Sequence, residues 1–230
     1  MSSTGPKHEV FACFAEVAQA IGHAHRLELL EHIGQGERSV EILAARAELT
    51  VANTSRHLQH LRRARLVAVR RDGKRVLYRL ADDTVVDLIS ALRRFSERNV
   101  AEVERVLTGY FHARDSFEPV SRDVLMDRLR DGLVTVIDVR PTDEFALGHV
   151  LGAVNIPLAD LHLRLADLSV DEEIVAYCRG AYCVLSFEAV ASLRARGFTV
   201  HRLQDGFPEW RVAGLPVETG PAPIEATLAS

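Results

Sequence analysis

Apolar positions along the chain fall into two regimes. Up to about residue 109 they recur at helical spacing, interrupted once by a short β-favouring stretch. Beyond residue 118 they gather into brief runs that alternate with helical segments. In the first regime Val10, Phe14, Val17 and Ile21, then Leu27, Leu30 and Ile33, predict helix over 10–33. Gly22 and the polar His23–Arg26 stretch split it in two, and Gly34 and Gly36 end the second helix. Ser39 to Ala47 predicts a short helix, with Ser39 as N-cap and Ile42 and Leu43 facing inward. Thr50 caps another helix from Val51 to about Arg65, striped by Val51, Leu58, Leu61 and Leu66. Two short helices joined tightly, the second polar and basic, form a helix-turn-helix pattern. Asp72-Gly73, between two β-favouring runs inside 66–80, predicts a hairpin, the wing of such a unit. One long helix is expected over Asp83–Gly109, with Val85, Leu88, Ile89, Leu92, Phe95, Val103 and Val106 on one side as a dimerisation surface.

In the second regime Val134–Asp138, Ile174–Cys178 and Thr199–Leu203 predict strands, and Val184–Arg196 a helix. Such alternation implies an α/β domain with a parallel sheet. The expected layout is a first domain over 1–108, a linker over 109–118, a second domain over 119–219 and a flexible tail over 220–230.

Charge sharpens the division. Residues 1–117 carry 18 Lys and Arg against 15 Asp and Glu; residues 118–230 carry 10 against 17. Within 51–80 nine basic residues stand beside a single acid, Asp72, which points to a local polyanion site. Arg62, Arg63, Arg70, Arg71, Lys74 and Arg75 can neutralise phosphates. Asn53, Thr54, Arg56, His57 and Gln59 can reach base edges in a major groove, and Ser55 and His60 share their helix. The expected partner is double-stranded operator DNA. A run of eighteen apolar residues is absent and the first residues lack a basic-then-apolar leader pattern, so the cytoplasm is the default location and no membrane is expected.

The cysteines are Cys13, Cys178 and Cys183, too few for a disulfide scaffold. Cys178 ends a strand, and Arg179, Gly180, Ala181 and Tyr182 lead to Cys183 at the start of a helix. A thiolate there lies over a helix N-terminus, whose free N–H groups and dipole lower its pKa, with Arg179 adding positive charge. Gly180 lets several N–H groups face one anion. A cysteine at a strand end beside Gly and Arg is poorly placed for a core. Cys183 is either a small residue opening the helix or a thiol able to attack a persulfide on Cys178. His23 and His25, two apart on a helix, are expected to face different ways, and no metal or cofactor is expected.

Residues 10–105 resemble the ArsR/SmtB winged-helix repressors, through His25-Arg26-Leu27-Glu28-Leu29-Leu30, Ser55-Arg56-His57-Leu58-Gln59-His60-Leu61 and Leu66-Val67 before the wing. The resemblance implies homodimers, paired through the first and last helices of this domain, that release palindromic operators on binding an inducer. It also exposes a departure. Family members sense metals through a Cys-x-Cys in the helix before the recognition helix, or through His and Asp on the last helix. Here the helix over 39–47 has no cysteine and the segment 83–109 no histidine. Persulfide-sensing members use two cysteines in this domain, and only Cys13 is present.

Residues 119–217 resemble rhodaneses, through the segment Ile137-Asp138-Val139-Arg140 to Asn155-Ile156-Pro157, the cysteine loop, and Asp205-Gly206-Phe207-Pro-Glu-Trp210. The implied fold is a mainly α winged helix-turn-helix followed by an α/β rhodanese-like domain. The implied chemistry is transfer of sulfane sulfur from a persulfide, polysulfide or thiosulfate donor to Cys178, cradled by the amides of 179–183. Asp138 and Arg140 would support the site, while Glu144, His149 and Asn155 would hold turns. Phosphatases of the same fold need Cys-x5-Arg; Val184 fills that position and removes the bidentate clamp a phosphoryl group requires. Two readings follow: a regulator that senses sulfane sulfur at Cys178 and Cys183, or a working sulfurtransferase whose DNA-binding domain only places or autoregulates it.

Overall fold

A computed structural model describes residues 5–112, 114–115 and 118–220. The tail expected beyond Gly220 lies outside these residues. The chain divides into two compact units, Met1–Ile89 and Ser90–Ser230.

The first unit holds α1 (Pro6–Ile21), α2 (Ala24–Gly34), β1 (Arg38–Ser39), α3 (Val40–Arg46), α4 (Val51–Arg63), β2 (Val67–Asp72) and β3 (Arg75–Leu80). Pro6 starts α1 where its missing N–H costs nothing. Gly22 and His23 break α1 from α2 as the pattern requires. Leu29, Leu30, Ile33, Leu43, Leu58 and Leu61 close the core. Thr50 caps α4, its Oγ1 accepting from the Asn53 N–H at 3.3 Å. In the wing Asp72 pairs with Arg75, and Gly73, at φ +58°, opens the two-residue turn. A third strand, β1, pairs with β3; the apolar pattern carried no sign of it.

Several expectations are corrected. Ser39 has N-cap geometry, but its hydroxyl makes no capping bond and meets the Glu41 carboxylate instead, holding that group below its usual pKa. Ile42 and Val51 are exposed, at 41% and 47%, because α3 buries its Leu43 and Ala44 side and α4 its Thr54, Leu58 and Leu61 side. His23 is the extended N-cap of α2 rather than a helical residue, so the i,i+2 rule does not apply, and its ring lies 5.4 Å from that of His25. The long helix is not continuous. α5 (Thr84–Asn99) ends before Val100, whose extended backbone starts α6 (Ala101–Val106), and a π-helical turn follows over Leu107–His112. The boundary between the two units falls inside α5.

In the second unit α7 (Arg122–Arg130), β4 (Val134–Asp138), α8 (Thr142–Phe145), β5 (His149–Val150) and β6 (Val154–Asn155) lead to β7 (Glu173–Tyr177). α9 (Val184–Arg194), β8 (Val200–Arg202), α10 (Phe207–Val212) and β9 (Val217–Glu218) complete it. The main sheet is parallel, in order β6-β4-β7-β8, and β5 pairs antiparallel with β9. One apolar layer, with Ile137, Ile174, Ala189 and Val190, packs on one side of the sheet; another, with Leu125, Phe145, Phe207 and Trp210, packs on the other. Crossover helices on both faces explain why β4 and β7 read as mainly apolar runs, Val136-Ile137 and Ile174–Tyr177. No described helix is long and apolar enough to cross a membrane.

Candidate functional site

The cysteine loop spans the gap between β7 and α9. Cys178 directly follows β7, and Cys183 is the N-cap of α9. Their sulfurs are joined as a disulfide, with Cα atoms 6.1 Å apart, inside the usual span for such a bond. A tight turn brings them together, the Cys183 N–H donating to the Gly180 carbonyl at 3.2 Å. Cys178 is 1% exposed and packs in the apolar layer with Ile137 and Ile174, which corrects the view that this position is unsuited to a core. The strand end is inside the sheet's cover, so the sulfur turns inward.

Residues far along the chain hold the loop. Arg179 was expected to offer free positive charge. Instead its Nε and Nη2 donate to the buried Glu144 carboxylate at 2.9 Å. Glu144, taken from sequence as a turn residue, therefore anchors the loop. The Phe207 N–H donates to the Cys178 carbonyl at 3.1 Å, and Arg202 Nη1 donates to the Ala181 carbonyl at 3.1 Å. Gly206 passes so close that a Cβ there would lie 2.1 Å from the Arg179 carbonyl oxygen. Tyr182 donates its hydroxyl to Glu97 on α5. Burial, then that carboxylate, pushes the Tyr182 phenol well above its usual pKa, so it remains a donor at neutral pH.

Asp138 and Arg140 are both fully buried at the end of β4. Arg140 Nε donates to both Asp138 oxygens at 3.0 Å, and Nη2 donates to the Gly148 carbonyl at 2.8 Å. The Arg140 guanidinium also lies 4.4 Å from the Phe207 ring centroid. Asn155 Nδ2 donates to the carbonyls of Asp138 and Arg140 at 3.0 Å. Asp138 is in register with Tyr177, the residue before Cys178. The pair thus fixes the strand end from which the loop departs.

On α4, Asn53, Arg56, Gln59, His60, Arg62 and Arg63 are exposed, and Ser55 and His57 are half-buried. Thr54 corrects the sequence reading. It is fully buried, and its hydroxyl donates to the Thr50 carbonyl at 3.0 Å, so it stabilises the helix start and cannot reach a base. Arg71, Lys74 and Arg75 are exposed in the wing, while Arg70 is engaged by Glu37 at 2.7 Å. His57 lies 4.6 Å from the His23 ring and 5.9 Å from His25. Desolvation, then repulsion from His23, Arg26, His25 and His60, lowers its pKa.

Residues 121–213 match the family described as Rhodanese-like domain, and residues 21–70 match that described as Helix-turn-helix domain. The chain is 41% identical over 210 residues to the HTH-type transcriptional regulator Rv0324 of Mycobacterium tuberculosis, covering 91% of this chain and 92% of that protein. The chain belongs to the ArsR-type winged-helix transcriptional regulators that carry a C-terminal rhodanese domain. The rhodanese half of this regulator is also 30% identical over 100 residues to a Sulfurtransferase of Allochromatium vinosum, covering 43% of this chain and 92% of that one. A solution structure of the homodimeric winged helix-turn-helix DNA-binding domain Mb0332 from Mycobacterium bovis shares 29% identity at a TM-score of 0.40. It covers 44% of the regulator and 93% of that chain.

Proposed function

We propose that this regulator is a cytoplasmic sulfur sensor that binds operator DNA as a homodimer and reads persulfide or related sulfane sulfur through its cysteine loop. The carrying observation is the sulfur–sulfur link between Cys178 and Cys183 across the loop. The Cys178 thiolate attacks the outer sulfur of an organic persulfide, forms Cys178-S-SH and releases the organic thiol. The Cys183 thiolate then attacks the Cys178 sulfur, closes the disulfide and expels hydrosulfide. Both cysteines are oxidised and the donor's sulfane sulfur is reduced, so electrons balance. Residues 1–108 serve DNA binding and dimerisation in this reading, and 119–219 serve the sulfur chemistry. α1 exposes Val10, Phe11 and Phe14, and α5 exposes Leu88, Leu92 and Phe95, apolar surface suited to a second copy.

The exposed part of α4 reads bases, and Arg62, Arg63, Arg71, Lys74 and Arg75 neutralise phosphates. A change at the loop reaches α5 through Tyr182 and Glu97. A gel-shift titration with and without an organic persulfide tests the sensor. An affinity that changes in wild type and not in Cys178→Ser supports it; no change in wild type refutes it.

A second reading keeps the Cys178 persulfide as a catalytic intermediate passed to an external nucleophile. The Cys178 loop, in a domain that matches the Rhodanese-like family, favours it. Thiocyanate production from thiosulfate and cyanide, lost in Cys178→Ser, is its expected outcome. Absence of turnover with thiosulfate and with an organic persulfide removes it.

A further inference from the structure

Within the second unit a cavity of about 360 Å³ opens beside the cysteine loop, and neither cysteine lines it. That volume suits a small organic molecule. Its wall is unevenly charged, with Arg93, Arg94, Arg122 and Arg202 set against Glu97 and Asp205. Four lining cations thus face two lining acids. Arg93 at 2.8 Å and Arg122 at 3.1 Å share the one Asp205 carboxylate. The buried Nε groups of Arg93 and Arg202 make no hydrogen bond and face carboxylates only at ion-pair distance, Glu97 at 3.9 Å and Asp115 at 3.6 Å. Burial lowers the pKa of Arg202, although its Nε faces the buried Asp115 carboxylate at 3.6 Å. Beside Gln204 and Tyr182, the wall carries an apolar part, Leu107 with the rings of Phe111 and Phe187 packed edge to face at 4.7 Å.

We propose that this cavity binds a small aromatic anion, a carboxylate or sulfonate, as a second input separate from the sulfur at Cys178. The ring packs on Phe111 and Phe187, and the acid group faces the guanidinium surplus. The occupant then touches both α5, through Arg93 and Arg94, and the cysteine loop, through Ala181 and Tyr182. It therefore holds the Tyr182–Glu97 link closed and sets how readily a change in the loop moves α5. This consequence rests on the sensor reading; the binding itself does not.

The test is calorimetric titration of the full-length protein with benzenesulfonate, using neutral methyl phenyl sulfone and cationic benzylamine as controls. Saturable binding of benzenesulfonate alone is expected, equal in wild type and Cys178→Ser. It should weaken about tenfold in Arg94→Glu, whose exposed position leaves folding intact. Phe111→Leu should weaken it as well. Failure of wild type to bind, equal binding of the neutral sulfone, or undiminished affinity in folded Arg94→Glu overturns the proposal. Loss of binding in Cys178→Ser also overturns it, by placing the anion at the sulfur. Anion binding that persists without any persulfide response faults the sensor reading alone.

Discussion

The α4 helix and the cysteine loop, the two sites in the proposed function, are built in opposite ways. α4 works through exposed side chains carried by a helix whose core face is Leu58 and Leu61. The loop holds a buried sulfur pair and is held by Glu144, Gly206, Arg202 and Glu97, all distant in sequence. Substitutions at the exposed positions of α4 should therefore alter binding and leave folding alone. Substitutions around the loop should alter stability and chemistry together.

The largest break in that symmetry comes from the ion pair beneath the loop. Asp138→Ala leaves Arg140 buried and uncompensated, and should destabilise the second unit by about 3–5 kcal/mol in denaturant melts. Gly206→Ala follows, at about 3 kcal/mol, because the added Cβ meets the Arg179–Gly180 peptide rather than a flexible side-chain tip. Either change should remove sulfur transfer while the first unit still binds DNA. Loss of DNA binding in isolated, folded first unit of the same sequence would contradict the separation of roles.

What was legible in the sequence follows the same divide. Thr50 capping α4, the wing hairpin and the parallel strands were readable because each rests on local pattern. Thr54 failed because a threonine one turn past a cap bonds back to the Thr50 carbonyl, a choice polarity alone does not reveal. The break at Val100 failed because residues on both sides keep helical propensity. Glu144 stood in the quoted rhodanese segment, yet its partner Arg179 lies 35 residues on, and no spacing rule pairs them. Glu97 offered no signal beyond an i,i+4 relation to Arg93.

Smaller effects sharpen the comparison. Replacing Arg62 and Arg63 by alanine should weaken DNA binding without moving the melting temperature. The salt slope should fall by about one for each phosphate that is no longer neutralised. Tyr182→Phe keeps the ring and deletes the bond to Glu97. It should leave persulfide formation at Cys178 intact, read by mass spectrometry, while reducing its effect on DNA affinity. An unchanged response would exclude the Tyr182–Glu97 route. The smallest effect concerns pH. His57 titrates lower in the folded protein than in the unfolded chain, so its neutral form contributes stability above the unfolded value. That contribution fades as pH falls from about 6.5 through the lowered folded pKa. The first unit should lose stability over that window in wild type and less so in His57→Gln.

In the proposed function, sulfur chemistry at Cys178 and Cys183 sets DNA affinity. Operator affinity measured by fluorescence anisotropy, before and after exposure to an organic persulfide, tests it most directly in wild type, Cys178→Ser and Cys183→Ser. The expected result is a shift in wild type that dithiothreitol reverses, absent from Cys178→Ser and without disulfide closure in Cys183→Ser. An equal shift in Cys178→Ser, or none in wild type, would contradict it.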